Sequence, residues 1–400
     1  MEETARGRIA VFHYNSNPFI HGAALKCVNT LAEAGYDVVL TKPAPRKEAV
    51  AQRGDRTRQQ LHARVTLRQV ALATRRLPRF TLQFLKFLEM FVRFAWRAFR
   101  EPCHCVMGFD PPAVLPAYVG ARLAGKPVLY FALELYPEQH WVAGRAFWRM
   151  ASRFLCPRVD ALVVVDSNRS AYMVEHYRAR SPVAIRNTPA FRPVERTDTL
   201  QRTLAGRGIE TSKIALYQGQ VEPARGVEQM IDMVPYLRED TAVVILGGAE
   251  AEYSEQLRNR IAAQGLENRI LMLPPVLPAE VWDYTASAHC GLIAHQPVSL
   301  NFYYNAGATN KFYEYLMAGI PVVTPNFPGF PEVVEAEKVG LCVDPASPEA
   351  IAAAVNSILA DEEEWNRMRE RALKLAQERF NWGIDGARFV EVVDALMRGA

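Results

Sequence analysis

Short apolar runs separated by helix-length segments occupy most of the chain. Before residue 187 these runs lie at residues 9–12, 38–40, 106–107, 127–130 and 161–165. After residue 212 they resume at residues 214–217, 242–246, 270–273, 290–293, 322–323 and 341–343. Runs that are apolar throughout are typical of strands covered on both faces, and their alternation with helices predicts parallel sheets.

The alternation stops between residues 187 and 212, where prolines and the charged residues 195–198 are typical of a connection. A chain of 400 residues is also longer than one hydrophobic core usually organises. We therefore expect two Rossmann-like α/β domains, residues 1–190 and 191–381, followed by a terminal segment of residues 382–400. In such a fold a ligand binds in the cleft between the domains, beside the carboxyl ends of the strands.

Three positions give more local predictions. Gly35 follows the helical pattern of residues 23–34 and is predicted to stop that helix in a left-handed conformation. Asp110 and Asp166 each stand between a predicted strand and a predicted helix. Aspartate and serine are favoured N-cap residues, so Asp110 is predicted to cap the helix after it, and Asp166 or Ser167 to cap the helix that follows residue 165.

Positive charge is concentrated in one stretch of the first domain. The formal net charge of the chain is +4, but residues 44–100 contain 14 Lys or Arg and three Asp or Glu, a local charge of +11. Within this stretch, residues 83–99 predict a helix with four charged residues on one side. Two interpretations are open: a buried helix with a solvated stripe, or an interfacial helix on an anionic membrane. Nucleic-acid binding is disfavoured, because the aromatic residues do not alternate with the arginines.

The cysteines and the N-terminus indicate a cytoplasmic protein. Six cysteines without regular spacing are most simply reduced thiols. The first ten residues contain two glutamates and no apolar stretch, so we expect no secretory signal. The sequence Cys103-His104-Cys105 lacks a second ligand pair at a useful spacing, and we expect no metal site there.

Candidate phosphate-binding chemistry follows the first strand of the second half. Gly219 comes directly after this strand, and Arg225 and Gly226 begin the next predicted helix. A glycine lets the backbone approach a phosphate, a helix start offers unpaired N–H groups, and arginine adds a bidentate cation. Because strand-glycine-helix turns are common, an ordinary structural turn is the alternative.

A second feature, residues 310–323, predicts a helix followed by a strand, with Gly319 between them. Asn310 and Lys311 lie in the first helical turn, and Glu314 shares a face with Lys311. The lysine and the glutamate either pair on the helix surface or line the cleft. In the cleft, Glu314 would accept hydrogen bonds from a sugar diol, and amides at the helix start would hold a phosphate.

In their order along the chain these features resemble the family 4 glycosyltransferases, most closely from residue 217 to about residue 380. The resembling segments are Gly219 with Arg225-Gly226, residues 246–248, 273–288, 310–323, 340–345 and 380–382. The resemblance implies the GT-B fold, two Rossmann-like domains facing each other across a cleft, with a C-terminal helix that crosses back to the first domain. It also implies a retaining enzyme that uses a nucleotide-diphosphate sugar and needs no metal or other cofactor.

The resemblance implies roles for those residues of this chain that match the family's motifs. The resemblance assigns Glu314 to the ribose of the nucleotide, and Arg225 and Lys311 to the donor diphosphate as transition-state groups. It further assigns to the donor, a UDP- or GDP-sugar, the residues Gly22, Gly219, Val276 in the loop beside the base, and Asn310.

Three positions depart from the family pattern. Ala306 stands where the first glutamate of the E-x7-E motif is expected, and Gln220 replaces the arginine after Gly219. Leu133 occupies the place of a catalytic-site histidine, next to Glu134, which is retained. Glu134 is either a core-edge carboxylate paired with an arginine, or a catalytic cleft residue that orients or deprotonates the acceptor hydroxyl.

The basic and aromatic segment favours an acceptor presented at a membrane. We expect a polyprenyl-diphosphate-linked saccharide in cell-surface polysaccharide synthesis, with the protein peripheral on the inner face of the plasma membrane. Two other classes are open: a non-catalytic nucleotide-sugar-binding or scaffold protein, favoured by Ala306 and Leu133, and a sugar-nucleotide epimerase. A nicotinamide-dependent dehydrogenase is disfavoured, because no Gly-x-Gly-x-x-Gly follows the first strand.

Overall fold

The structure is a computed structural model that describes residues 6–17, 22–45, 61–76, 83–139 and 142–399. The chain forms two compact units, Met1–Arg186 with Asp385–Ala400, and Asn187–Ile384. The units divide the chain after residues 186 and 384, compared with the predicted boundaries after residues 190 and 381. Each unit is built on one parallel sheet, which confirms the predicted α/β class.

The first unit is built on a twisted parallel sheet. Its described strands are β1 (Gly7–His13), β2 (Tyr36–Pro43), β3 (Val65–Val70), β4 (Cys105–Phe109), β5 (Val128–Ala132), β6 (Ala161–Val164) and β7 (Val183–Ala184). They are ordered β3-β2-β1-β4-β5-β6-β7, and every pair is parallel. Strands β4 and β5 are buried at every residue, as their continuous apolar sequence predicts. The strand order reverses between β1 and β4. The carboxyl ends of β1, β4 and β5 therefore lie side by side at this point of the sheet.

Helices connect these strands. In the described part of the first unit they are α1 (Gly22–Glu33), α2 (Gln83–Arg100), α3 (Asp110–Leu123), α4 (Arg145–Leu155) and α5 (Ser167–Tyr177). Short 3₁₀ turns lie at Ala73–Arg76 and Tyr136–Glu138. Helix α2 packs closely along α3, since a Cβ on Gly120 would lie 2.0 Å from the carbonyl oxygen of Ala95. Only glycine fits at this crossing.

Two of the local predictions are confirmed and one is wrong. Gly35 has a φ of 93° and follows the end of α1. The Asp166 carboxylate accepts hydrogen bonds from the first backbone N–H groups of α5, at 2.7 Å and 3.4 Å. Asp110 does not cap α3: the residue before that helix is Phe109, and Asp110 is itself the first helical residue. Its φ is 57°, and its buried carboxyl accepts a hydrogen bond from the turn after β5 instead.

The second unit, described throughout residues 187–384, contains a six-stranded sheet. Its strands are β8 (Lys213–Gln218), β9 (Thr241–Leu246), β10 (Ile270–Leu273), β11 (Cys290–Leu292), β12 (Val322–Pro325) and β13 (Gly340–Val343). They are ordered β10-β9-β8-β11-β12-β13 with parallel pairs. Successive residues of β8 face opposite sides: Ile214 and Leu216 enter one hydrophobic core, and Ala215 and Tyr217 enter the other. Helices therefore cover both faces of the sheet.

The helices of the second unit follow the predicted alternation. They are α6 (Thr199–Ala205), α7 (Val227–Asp232), α8 (Ala251–Ala263), α9 (Val281–Ser287), α10 (Leu300–Tyr303), α11 (Asn310–Met317), α12 (Pro331–Val334), α13 (Pro348–Ala360) and α14 (Glu362–Glu378). Short 3₁₀ turns lie at Pro223–Arg225 and Val234–Tyr236. Helix α11 begins at Asn310 as predicted, and Gly319 after it has a φ of 66°.

The last helix, α15 (Trp382–Arg398), belongs to the first unit from Asp385 onward. The Asp385 carboxylate is fully buried and accepts hydrogen bonds from the Arg186 guanidinium, at 3.1 Å and 3.2 Å. Because a buried charge is costly without a partner, this pair fixes the start of the helix in its unit. Phe389 then packs on Phe131 of β5, with ring centroids 5.6 Å apart. Among the helices described, none combines the length and apolar content needed to cross a bilayer.

Candidate active site

The six predicted site residues of the second unit line one cavity of about 540 Å³. They are Gly219, Arg225, Val276, Asn310, Lys311 and Glu314. The carboxyl ends of β8 and β9 and the start of α11 form its walls, so it is called here the β8–α11 cavity. Residues that sequence reasoning did not assign to the site complete it: Gln218, Gln220, Leu246, Gly247, Gly248, Pro275, Val281 and Thr309. This is the edge at which parallel sheets bind ligands.

Two glycines allow the strand-end turns to meet at the cavity wall. Gly219 has a φ of 125°, and a Cβ there would lie 3.2 Å from the Nζ atom of Lys311. A Cβ on Gly247 would lie 1.7 Å from the carbonyl oxygen of Gly219. The turns after β8 and β9 therefore pack backbone against backbone, which exposes peptide groups rather than side chains to a ligand.

Lys311 is buried in the wall of the cavity and is 8% exposed. Its ammonium group lies over the ring of Tyr217, 4.0 Å from the centroid. Burial lowers the pKa of Lys311 well below its ordinary value; Arg225 lowers it further, while Glu314 and Glu222 oppose this effect. The interpretation of Lys311 as one half of a surface ion pair is therefore wrong, because the side chain is not on the surface. An anion in the cavity would favour the protonated amine.

Arg225 lies in the 3₁₀ turn before α7 and is held from three sides. Its Nε donates to Glu222 Oε1 at 2.8 Å, its Nη1 donates to His295 Nε2 at 3.3 Å, and its guanidinium lies 4.8 Å from the Phe302 ring centroid. Burial lowers the pKa of His295 well below its ordinary value, so the imidazole is neutral and can accept from the arginine. The role of His295 was missed because a histidine after an apolar strand is usually structural.

The carboxylate of Glu314 is oriented by a chain of side-chain hydrogen bonds. Gln218 Nε2 donates to Glu314 Oε2 at 2.6 Å, and Thr285 Oγ1 donates to Gln218 Oε1 at 2.6 Å. The backbone N–H of Gln218 also donates to the Tyr315 hydroxyl at 3.1 Å. Because Thr285 fixes the direction of the Gln218 amide, the amide presents a donor to Glu314. The carboxylate can then accept further hydrogen bonds from a diol in the cavity.

The whole cavity lies inside a segment with a known family match. Residues 204–375 match the family described as "Glycosyl transferases group 1", and every residue that lines the cavity falls within them. Residues 204–375 are therefore similar to a group 1 glycosyltransferase domain.

Two curated relatives of this segment are named as glycosyltransferases. A D-inositol 3-phosphate glycosyltransferase from Corynebacterium glutamicum is 27% identical over 254 residues, which cover 60% of this chain and 58% of the relative. A GDP-mannose-dependent alpha-(1-6)-phosphatidylinositol monomannoside mannosyltransferase from Mycolicibacterium smegmatis is 25% identical over 189 residues, 46% of this chain and 49% of the relative. The chain thus spans about half the length of the curated relatives it matches.

The match to a solved structure covers more of the chain than residues 204–375. The structure of Anabaena HepE in complex with UDP and glucose has a TM-score of 0.72 and 14% identity. The match covers 98% of this chain and 100% of that chain. At this level of identity the likeness shows the fold alone, and it confirms the GT-B fold that the sequence resemblance implied.

Position 306, where the family resemblance leads us to expect a glutamate, is an alanine in this chain. Ala306 is buried, and its carbonyl oxygen accepts a hydrogen bond from the Tyr313 hydroxyl at 2.9 Å. Thr309, three residues further along the chain, lines the cavity. It precedes α11 and does not cap this helix through its side chain.

The remaining predicted residues belong to the first unit. Gly22 begins α1 and is exposed, and an added Cβ there would meet open space. Glu134 follows β5; its Oε2 accepts from Gln139 Nε2 at 3.1 Å and lies 3.5 Å from Arg169 Nη1. Leu133 is buried, and its carbonyl oxygen accepts from Arg169 at 2.8 Å. Over the described ranges, no group of three or more His, Cys, Asp or Glu residues is placed to hold a metal ion.

Proposed function

We propose that this protein transfers a sugar from a nucleotide-diphosphate donor to a hydroxyl of a lipid-linked saccharide, with retention of anomeric configuration. The observation that carries the proposal is the β8–α11 cavity, in which Arg225, Lys311 and Glu314 converge beside a helix start. HepE, whose fold this chain shares, is described in complex with UDP and glucose, which supports a UDP-sugar. The GDP-mannose-dependent relative keeps GDP as the other candidate base.

The chemical difficulty of such a transfer is the negative charge that grows on the departing diphosphate. Arg225 and Lys311 would neutralise it, and the uncapped amides at the start of α11 would donate hydrogen bonds to it. One well-placed donor of this kind can stabilise a transition state by about 3–4 kcal/mol. Glu314 would mainly hold the ribose. The proposal assigns charge neutralisation to these protein groups and calls for no metal or other cofactor.

Nucleotide binding tests the donor site directly. We would measure thermal stability of the wild type, Glu314→Ala and the control Glu255→Ala, an exposed glutamate on α8, with UDP, GDP, ADP and CMP. A nucleoside diphosphate at 100 times its Kd should stabilise the wild type and the control by about 2.7 kcal/mol. Glu314→Ala should lose most of this effect. The absence of any shift at millimolar concentration would contradict the proposal and favour the scaffold interpretation.

Transfer itself is tested by the release of the nucleoside diphosphate in the presence of a polyprenyl-diphosphate-linked saccharide. Release should depend on the acceptor, and the anomeric proton of the product should show the donor's configuration by NMR. An inverted product would contradict retention, while a changed nucleotide sugar without acceptor would indicate an epimerase.

A membrane-presented acceptor is supported by the surface of helix α2. One stripe of this helix is apolar and exposed, and it includes Val92 at 58% and Trp96 at 56% exposure. The opposite stripe, with Met90 and Phe94, is buried. Helix α2 has three faces: one is apolar and buried, one is charged, and one is apolar and exposed. A buried helix with one charged stripe would lack the exposed apolar face. The named lipid substrate of the Mycolicibacterium relative, a phosphatidylinositol mannoside, is compatible with this surface.

We propose that this exposed stripe of α2 lies on an anionic bilayer, with the neighbouring arginines at the headgroups. Sedimentation with anionic liposomes should exceed sedimentation with neutral ones. Trp96→Glu should reduce binding to anionic liposomes, whereas Val174→Glu, an exposed apolar residue on α5, should not. Equal sedimentation with both lipids, or an equal effect of the two substitutions, would contradict the assignment.

A further inference from the structure

The first unit buries an acidic group that the proposed donor chemistry does not use. Asp110 is 3% exposed and lies directly after β4, at the carboxyl edge of the sheet. Its φ of 57° is uncommon for a residue other than glycine, and such strain persists where the surroundings require it. Its Oδ1 accepts the backbone N–H of Glu134 at 3.1 Å, and its carboxyl also accepts the N–H of Leu133. The strained residue therefore holds the turn that carries Glu134.

A buried cation lies beside Glu134. Arg169 is 2% exposed, and its Nη1 lies 3.5 Å from Glu134 Oε2. The negative charge of Glu134 opposes ionisation of the buried Asp110 carboxyl. Burial and the neighbouring Glu134 raise the pKa of Asp110 to about 8, while Arg169 and the two backbone N–H groups act in the opposite direction.

The two acids differ in access to a ligand. The Glu134 side chain is 40% exposed, and its Oε2 is held by Gln139 and Arg169. No described residue donates a hydrogen bond to its Oε1, which can therefore accept one from a ligand hydroxyl. Asp110 is too deeply buried for such contact. Glu134 is therefore placed to contact a ligand, whereas Asp110 holds the turn that carries Glu134.

We propose that Asp110 is a positioning residue that fixes Glu134 toward a hydroxyl of the saccharide acceptor. This inference rests on the proposed glycosyl transfer and adds an acceptor-side pair to it. Glu134 acts as the group that contacts the acceptor, and Asp110 acts through Glu134.

Other titratable groups also face Asp110. Three tyrosines from β1's end, β5 and the following 3₁₀ turn interact with its carboxyl: Tyr14, Tyr130 and Tyr136. Burial raises the pKa of each phenol above its ordinary value, and Asp110 adds to the effect. They stay protonated near neutral pH. His13 at the end of β1 is also buried and packs on Phe109, the residue before Asp110, so the pH profile of an Asp110 variant is compared with that of the wild type to isolate Asp110.

The first test is the pH dependence of stability, which needs no substrate. Because the folded pKa of Asp110 lies above its unfolded value, its contribution to stability is complete below about pH 4 and is lost as the pH rises to about 8. Asp110→Asn still accepts backbone N–H groups and tolerates the left-handed backbone. The thermal midpoint of this variant should fall less steeply between pH 5 and 8 than that of the wild type. Asp37→Asn, at a half-exposed position of β2, should follow the wild type.

A second variant keeps the stability test decisive if Asp110→Asn folds poorly. Glu134→Gln removes the neighbouring negative charge, so the pH at which stability levels off should move downward. Parallel stability profiles for the wild type and either foldable variant would overturn the inference, whether or not an activity has been found.

The second test separates positioning from a merely structural role. In a transfer assay, Glu134→Gln should reduce acceptor-dependent turnover at least tenfold while nucleotide binding is unchanged. The wild type should lose turnover above about pH 8, where Asp110 ionises, and Asp110→Asn should keep its turnover there. An identical alkaline loss in wild type and Asp110→Asn would overturn the inference. Failure of the proposed function would instead appear as absent nucleotide binding in every variant.

Discussion

Replacing Lys311 with methionine should make the protein more stable and its nucleotide binding weaker. The lysine is buried between the Tyr217 ring and the turn at Gly219, and its pKa is lowered mainly by burial. Burial of the Lys311 amine costs solvation energy, so its presence indicates a function other than stabilising the fold. Methionine has a similar length and fills the same space without a charge.

The two effects can be estimated from the surroundings of the amine. Replacing a buried charged group by an apolar one of similar size stabilises by up to about 1–4 kcal/mol, and the lost contact with Tyr217 offsets about 0.5–2 kcal/mol of this. We therefore expect a net gain near 1 kcal/mol. A charge-assisted hydrogen bond to a diphosphate contributes about 1.5–3 kcal/mol. Its loss should weaken binding of a nucleoside diphosphate by about 10- to 150-fold.

The pH dependence gives the sign of the effect. Since the folded pKa of Lys311 lies below its unfolded value of about 10.5, its contribution to stability is present at high pH and is lost as the pH falls through the folded value. Diphosphate binding favours the protonated amine, so binding should take up protons. Titration calorimetry in two buffers of different ionisation enthalpy measures this uptake, which should vanish in Lys311→Met.

A matched control is Lys374→Met on α14, where the lysine is exposed. It should change both stability and binding by less than about 0.5 kcal/mol. If Lys311→Met lowers stability and leaves nucleotide binding and proton uptake intact, Lys311 is a structural lysine and the assignment to a diphosphate is refuted.

Three further substitutions test the framework of the two units. Gly247→Ala should destabilise the protein by more than about 3 kcal/mol in urea unfolding, because the new Cβ would lie 1.7 Å from a backbone oxygen; an effect below 1 kcal/mol would contradict the close packing. Gln218→Leu removes the 2.6 Å hydrogen bond to Glu314 and should weaken nucleotide binding at least tenfold by calorimetry; unchanged affinity would show that the bond does not position the carboxylate. Arg186→Met leaves the buried Asp385 without its bidentate partner and should cost about 3 kcal/mol in chemical denaturation; a loss below about 1 kcal/mol would show that the ion pair does not fix the start of α15.

The sheets could be predicted from the sequence because each buried strand is apolar throughout. The run at residues 161–165 and the aspartate after it predict both a strand and a capped helix, and β6 and the Asp166 cap are observed. The same holds for the residues of the β8–α11 cavity that stand at strand ends and helix starts. Local pattern fixes such positions, since the carboxyl ends of parallel strands share one edge.

Residues whose role depends on a distant partner could not be predicted in this way. His295 lies 70 positions from Arg225, and Gln218 lies 96 positions from Glu314, so neither contact leaves a local pattern. Asp110 shows the limit more sharply. Its position before two prolines favours a cap, yet its contacts with the turn after β5 hold it at a positive φ inside the helix. Tertiary hydrogen bonds here outweigh the local preference for capping.

Two departures from the family pattern in the second unit are opposite in charge. Gln220, which lines the β8–α11 cavity, stands in place of a positive residue, and the buried Ala306, which is not among the lining residues, stands in place of a negative one. A cavity that had lost its ligand would have no reason to keep Arg225 and Lys311 at the expense of burying an amine. Thr309 at the start of α11 adds a neutral hydroxyl to the lining. The buried Lys311 beside Arg225 therefore favours a cavity that binds an anionic ligand over a scaffold without a ligand.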